Sequence, residues 1–243
     1  MITDIATISK PGGREVNQDS VAFSSRGGRL CLVACDGLGA YDGSEDASRI
    51  GANRLAANFE LCDDPLEAKS LGGLFKSAHD AIIASKRDGE TDLSSCTTAA
   101  CLFADEYNTV VGHIGDTRVY LIEKGAPVHR TIDHSVAQMA VERGEIDEDE
   151  LRFHKDQNKL TRVLGGKYFV LPDFYETGKP LGKGDAVLIC TDGWWEYVDV
   201  EEVCEDIATS KTAAEALKKS EKRLMFRADE GHDNYSAVLA IIK

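Results

Sequence analysis

The chemistry this chain could do is concentrated in its aspartates. Four apolar runs end in, or turn at, an Asp: Asp36-Gly37, Gly115-Asp116, Asp192-Gly193 and Asp233-Asn234. A fifth, Asp19, closes the run Arg14-Glu15-Val16-Asn17-Gln18-Asp19. Each alone is an ordinary turn former. Four at the mouths of core strands are another matter, because half-buried carboxylates repel one another unless cations sit between them. Hard oxygen donors select Mg²⁺ or Mn²⁺ over zinc or copper. Two such ions ~3.5–4 Å apart can share one hydroxide and clamp a phosphoryl oxygen.

These residues need elements that bring them together. Leu30 to Asp36 is apolar and runs into Asp-Gly, which predicts a buried strand and a turn. Ala52, Leu55, Ala56 and Phe59 have helical spacing, as do Leu71, Leu74, Phe75, Ala78 and Ile82. Thr97–Phe103, Thr109–Ile114 and Arg118–Ile122 read as strands, and the short breaks at 106–108 and 115–117 predict antiparallel hairpins. Ser135 to Leu160 is polar and predicts a helical, mobile excursion from the sheet. Ala186–Cys190 predicts a buried strand, Ala213, Ala216, Leu217 and Leu224 a late helix, and Tyr235–Ile242 a closing strand. Hairpins in runs with helices grouped between them predict an α+β fold. No repeat or linker divides the sequence, so residues 1–243 are expected to form one domain.

Composition removes several classes. Apolar residues make up 42% and charged residues 29%, enough for a core and a soluble surface. No apolar run approaches the roughly 18–20 residues of a membrane span, and Met1 to Lys10 lacks the pattern of a signal peptide. A cytoplasmic protein with no membrane partner is expected. The net charge of −14 argues against a nucleic-acid partner. The 7 cysteines include no CxxC pair, and no His-x-His pair exists, so zinc is not expected. Cys31, Cys35, Cys96, Cys101 and Cys190 read as reduced thiols in the core.

Eight segments resemble, in order, the signature blocks of the PPM family, the metal-dependent protein phosphatase 2C type, in its short bacterial form. They are REVNQD (14–19), ACDGLGAYDGSEDAS (34–48), CTTA (96–99), GHIGDTRVYLI (112–122), DHS (133–135), LTRVLGG (160–166), ICTDGWWEYV (189–198) and DNYSAVLAI (233–241). The resemblance implies two antiparallel sheets packed as a central sandwich with helices outside, in α-β-β-α layers. It implies hydrolysis of phosphoserine and phosphothreonine in proteins by a metal-bridging hydroxide, with two or three Mn²⁺ or Mg²⁺ ions. By it, Asp36 bridges two metals, the Gly37 carbonyl holds the second, and Asp192 and Asp233 complete the shell of the first. Asp19 hydrogen-bonds metal-bound water, Asp116 with Asp192 forms a third and weaker site, and Arg14 grips the substrate phosphate, a job suited to guanidinium. Asn234 either orients Asp233 or serves the turn alone. The stretch at about 136–160 takes the place of the family's flap.

The chain departs from the family where the usual Asp-Gly-Met-Gly-Gly-His-x-x-Gly-Glu becomes Asp36-Gly37-Leu38-Gly39-Ala40-Tyr41-Asp42-Gly43-Ser44-Glu45. Tyr41 stands where a His has been proposed as general acid, and an unperturbed phenol near pKa ~10 is a poor substitute. A metal-bound water or Asp42 could take that role. Cys96 replaces the Gly that usually precedes the Thr-Thr pair, which predicts no positive φ at that position. Trp194 and Trp195 read as packing under the metal loop, His113 as a satisfied core histidine, and Glu145–Glu150 as an acidic helix start. The competing hypothesis is a catalytically weak or inactive phosphoprotein-binding module on the same fold. Such relatives lose metal-site Asp residues, and here none is lost. A phosphatase dedicated to one anti-sigma partner would carry a sensor domain, for which 243 residues leave no room. The expected partners are therefore phosphorylated proteins and a cognate Ser/Thr kinase whose work is opposed, with the chain acting as a monomer.

Overall fold

The structure, a computed structural model, describes residues 3–38, 43–86 and 94–243. Two five-stranded antiparallel sheets face each other among these residues. The first has the order β1-β10-β9-β6-β7, built from Thr3–Lys10, Tyr235–Ile242, Ala186–Cys190, Arg118–Glu123 and Ala126–Arg130. The second has the order β2-β3-β4-β5-β8, built from Asp19–Arg26, Arg29–Asp36, Ala99–Ala104, Thr109–Ile114 and Asp173–Glu176. Helices α1 (Ser44–Leu61) and α2 (Ala68–Ser85) cover the second sheet. Helices α3 (Val136–Glu142), α4 (Asp192–Trp195), α5 (Val200–Ala208) and α6 (Ala213–Arg227) lie on the side of the first. The fold is α+β, in α-β-β-α layers.

The pleat explains why the inner strands read as unbroken apolar runs. Leu30, Leu32 and Ala34 of β3 point into the space between the sheets, with Ala100, Leu102, Val187, Ile189 and Val238. Cys31, Val33 and Cys35 point the other way, toward Leu55, Phe59, Phe75 and Ile82 of α1 and α2. A strand buried on both faces cannot alternate with polar residues. The five core-predicted cysteines are all buried, and burial pushes the thiols of Cys31, Cys35, Cys101 and Cys190 up, away from thiolate chemistry.

One sequence expectation changes. The 106–108 break is a hairpin, since β4 and β5 pair in register from Ala99↔Ile114 to Ala104↔Thr109. The 115–117 break is not. There the chain leaves the second sheet and enters the first, where β6 pairs with β7 and β9. Gly115, at φ +98°, makes that crossing, and a Cβ on it would fall 2.5 Å from Thr98 Cγ2. Two further hairpins, β2–β3 and β6–β7, turn at Gly27-Gly28 and Lys124-Gly125. All four of those residues have positive φ, as the tightest hairpin turns require.

The excursion after β7 is helical, as expected. It holds α3 and a 3₁₀ helix, Glu148–Phe153, and it is pinched at its base by a bridge between Ser135 and Leu160. The acidic run is a helix start: Asp147 and Glu150 form a capping box. Ala137 and Leu151 join the core under the first sheet, and Arg152 pairs with Asp199 and Arg130 with Glu148. Among the described residues no helix is long and apolar enough to cross a membrane.

A buried ion pair fastens β6 to the segment after β7. Arg118 Nε donates to Asp133 Oδ1 (2.9 Å) and Nη2 to Asp133 Oδ2 (2.6 Å), while the guanidinium lies 3.6 Å from the Trp195 ring centroid. Removing the cation strands a buried carboxylate, a loss of ~3–5 kcal/mol. Arg118→Met should lower the unfolding free energy in urea by about that amount, and adding Asp133→Leu should restore most of it. A single variant as stable as the parent would show that the pair is not holding these segments.

Candidate active site

Antiparallel order places the aspartates together. β2 starts, β3 ends, β5 passes into β6, β9 ends and β10 starts at one end of the sandwich. Asp19 is the first residue of β2 and lies opposite Asp36, the last of β3. Asp116 sits in the crossing between the sheets. Asp192 is the first residue of α4, directly after β9, and Asp233 stands just before β10. Asp19 and Asp116 are buried; Asp36, Asp192 and Asp233 are half-buried.

The backbone around them is tightly fixed. Thr98 Oγ1 accepts from the Asp36 N–H (2.9 Å), and both the Thr98 N–H (2.8 Å) and Thr97 Oγ1 (2.8 Å) donate to the Asp36 carbonyl. Thr98 Oγ1 also meets Thr117 Oγ1 at 2.6 Å, tying the Asp36 strand end to the Asp116 turn. Gly37 donates to the Gln18 carbonyl (3.0 Å), and a Cβ there would lie 2.4 Å from the Ser44 carbonyl. The positive φ of this region falls on Ser95, at 55°, rather than on Cys96, in keeping with the side chain at 96. Thr191 Oγ1 donates to Asp19 Oδ2 (2.8 Å) and accepts from the Ser236 N–H (2.9 Å). Trp195 Nε1 donates to the Asp116 carbonyl (3.0 Å), while Trp194 is fully buried, so both indoles belong to the packing beneath the site.

The carboxylates perturb one another strongly. Asp36 is raised well above its ordinary value by burial first, then by Asp192, Asp19 and Asp116. Burial, with repulsion from Asp192 and Asp133, does the same to Asp116. Asp19 is pushed up to about 7 by burial, against hydrogen bonds from Ser236 and Thr191 and with repulsion from Asp192 and Asp233. Asp192 rises to about 6, from burial and then Asp233. These are the shifts of a site built for positive charge. Asp19 Oδ1 and Asp116 Oδ1 are buried with no hydrogen-bond partner, and such atoms are rare unless something else is to be bound. Among the described residues no three His, Cys, Asp or Glu side chains close on one point at ligating geometry. Instead Asp36 and Asp192 lie within hydrogen-bond reach of each other, and Arg14 Nη2 donates to Asp233 Oδ2 (3.1 Å). The donor set, all hard oxygen, fits Mg²⁺ or Mn²⁺.

The structure thus gathers Asp19, Asp36, Gly37, Asp116, Asp192 and Asp233, with Arg14 at the rim. Tyr41 and Asp42 lie outside the described residues. Asn234 resolves in favour of a third role. Its Nδ2 donates to the carbonyls of Pro11 (2.8 Å) and Val16 (3.0 Å), and its Oδ1 accepts from the Gln18 N–H (2.8 Å). It fastens the loop that carries Arg14 and Asp19, while only its backbone N–H reaches Asp233. His113 is satisfied, its Nε2 lying 2.7 Å from the Ile132 carbonyl. Two residues went unassigned in the sequence. Asp133, within the DHS block, faces Asp116 and Asp192 electrostatically. Glu196, one helical turn after Asp192, is pushed up to about 8 by burial and by Asp192 and Asp233. The spacing of Asp192 and Glu196 on one helix face was the available signal.

Fold and site together define a four-layer α-β-β-α protein with a carboxylate cleft at one mouth of its sandwich. The family model for protein phosphatase 2C matches residues 12–226. The Ser/Thr protein phosphatase PstP of Mycobacterium tuberculosis is 32% identical over 231 residues, 93% of this chain and 42% of PstP. The chain therefore spans less than half the length of that relative. Protein phosphatase PhpP of Streptococcus pneumoniae is 27% identical over 201 residues, 81% of this chain and 80% of PhpP. The crystal structure of M. tuberculosis PstP/Ppp superimposes with a TM-score of 0.83 at 27% identity, covering 100% of both chains. The PstP catalytic domain in complex with 2 manganese ions gives 0.79 at 25% identity, covering 99% of each. The chain belongs to the protein phosphatase 2C family.

The raised carboxyls fix the sign of a pH effect. A carboxyl whose folded pKa exceeds its unfolded value of about 3.8 holds its proton longer when folded. The native state then binds more protons than the unfolded state, and stability falls as pH rises through the folded value. Chelator-treated protein should melt at progressively lower temperature between pH 5 and pH 8, and Asp19→Asn should flatten that slope. Mn²⁺ competes with those protons, so its stabilising effect should be larger at pH 8 than at pH 5. A chelated parent that melts higher at pH 8 would contradict these assignments.

Proposed function

We propose that this chain hydrolyses phosphoserine and phosphothreonine in proteins, using divalent cations held by Asp36, Gly37, Asp116, Asp192 and Asp233. The observation that carries the reading is the pair of orphaned buried oxygens, Asp19 Oδ1 and Asp116 Oδ1, within a cluster of mutually repelling carboxylates. The family match and the manganese-bound PstP domain support it. Cations bound here supply positive charge against the phosphoryl oxygens and lower the pKa of bound water toward ~7.

The chain's own residues position and neutralise, which is most of what phosphoryl transfer asks of a protein. Asp36, Asp192, Asp233 and the Gly37 carbonyl are the first and second metal ligands, and Asp116 with Asp192 provides a third site. Asp19, held by Thr191, would accept a hydrogen bond from water beside it. Arg14, more than half exposed at the rim, turns from Asp233 to the incoming phosphate, where its planar fork bridges two oxygens. The partners are phosphorylated proteins, with a Ser/Thr kinase as the opposing activity, and the chain acts in the cytoplasm as a monomer. The alternative of an inactive binding module is disfavoured, because every Asp it would be expected to lose is present and faces the cleft.

Hydrolysis of para-nitrophenyl phosphate should require added Mn²⁺ or Mg²⁺ and stop with EDTA. Asp36→Asn and Asp192→Asn should each lower kcat by about 10³-fold or more while leaving the fold intact. Retention of more than about a tenth of the parent rate would remove that residue from the ligand set.

Arg14→Ala should separate binding from chemistry. KM for a phosphopeptide should rise by roughly tenfold, about 1.4 kcal/mol, with a smaller effect on kcat than in the Asp variants. Mn²⁺ affinity should not fall, since the variant only releases Asp233. Titrating substrate and Mn²⁺ against both proteins checks this; an unchanged KM refutes the phosphate clamp.

A further inference from the structure

The Gly115-Asp116 crossing has no side chain at 115 to fix it, and its φ of +98° is available to few other residues. Its position is set from outside. His134 holds both polar groups of Gly115. Its backbone N–H donates to the Gly115 carbonyl (2.9 Å), and its ring Nδ1 accepts from the Gly115 N–H (3.1 Å). An accepting Nδ1 leaves the ring proton on Nε2, which faces Asp173 Oδ2 at 3.2 Å. Arg162 Nη1 donates to the other oxygen of Asp173 (2.6 Å). The His113 ring stacks on His134 at 4.6 Å, and the Thr161 N–H donates to the His134 carbonyl (2.8 Å). His134 is buried, and burial lowers its pKa, the direction that keeps Nδ1 free to accept.

We propose that His134 is a positioning residue of the cation site, its Nδ1 holding the Gly115 amide and so aiming the neighbouring Asp116 carboxylate into the cleft. The proposal rests on the metal-dependent reading given above. It separates from a packing role by chemistry. Asn at 134 places Oδ1 where Nδ1 stands and keeps the acceptor for Gly115, while losing the ring and the Asp173 contact. Ala keeps neither, and leaves a buried N–H unpaired.

The test is Mn²⁺ binding to the purified full chain, followed by the electron paramagnetic resonance signal of free Mn²⁺, beside Mn²⁺-dependent melting. Asp116→Asn identifies the Mn²⁺ site that Asp116 joins. At that site His134→Ala should weaken Mn²⁺ by about 10–100-fold, the usual cost of losing a residue that orients a ligand. His134→Asn should stay within about threefold of the parent, and KM for a phosphopeptide at saturating Mn²⁺ should not move in either. Parent-like Mn²⁺ affinity in His134→Ala overturns the proposal. So does a loss in His134→Asn equal to that in His134→Ala, and this arm still decides if the Ala variant does not fold. A parent chain that binds no Mn²⁺ overturns the reading of the site itself, an outcome distinct from a parent that binds and a His134→Ala variant that binds equally well.

Discussion

Carboxylates repel one another, and this chain delivers Asp19, Asp36, Asp116, Asp192 and Asp233 to one mouth of its sandwich. Burial and the charges of their neighbours raise Asp19, Asp36, Asp116 and Asp192 above the ordinary carboxylate range. Such a cluster persists only where the surrounding structure over-determines it. The hydrogen bonds around the site do this through backbone rather than through the carboxylates. Thr97 and Thr98 hold the Asp36 peptide, Thr191 ties β9 to β10 and to Asp19, and Asn234 pins the Pro11–Gln18 loop. Two buried carboxylate oxygens, Asp19 Oδ1 and Asp116 Oδ1, are left without a partner, a condition that suits a cation.

One compensating charge is also structural. Arg118 is buried with Asp133 and lowers the cost of ionising Asp116. Its guanidinium lies on Trp195, whose indole N–H holds the Asp116 carbonyl. One packed unit thus sets both the position of the Asp116 turn and part of its electrostatics. That is why the two tryptophans after Asp192 belong to the core and still bear on the site.

How much of this was legible in the sequence follows from burial. β3, β5, β9 and β10 were readable because both faces are buried and the runs are uniformly apolar. β1, β2, β7 and β8 were not, because they carry polar residues and show no such run; β1 and β7 are the edges of one sheet and β2 and β8 of the other. The 115–117 turn was misread because a short break predicts only that the chain reverses, not whether it returns to the same sheet. The Asp positions were legible, since a charged residue closing a buried strand is conspicuous. Asp133 and His134 were not, since their roles depend on contacts far away in sequence, Arg118 and Gly115.

Helix α4 is where these constraints meet. It begins at Asp192, buries Trp194 and Trp195 in the core, and is capped by Glu196, whose Oε1 accepts from Gln157 Nε2 (2.6 Å) in the excursion after α3. Arg152 of the same excursion reaches Asp199 and the Glu196 carbonyl. The excursion is therefore fastened to the helix that carries Asp192, as well as to β7 through Arg130 and Glu148. A packed helix of one turn has little freedom to absorb strain, so a displacement of residues 152–157 acts on Asp192 directly. The geometry at the cleft and the seating of the excursion are one mechanical problem, joined through a single turn of helix.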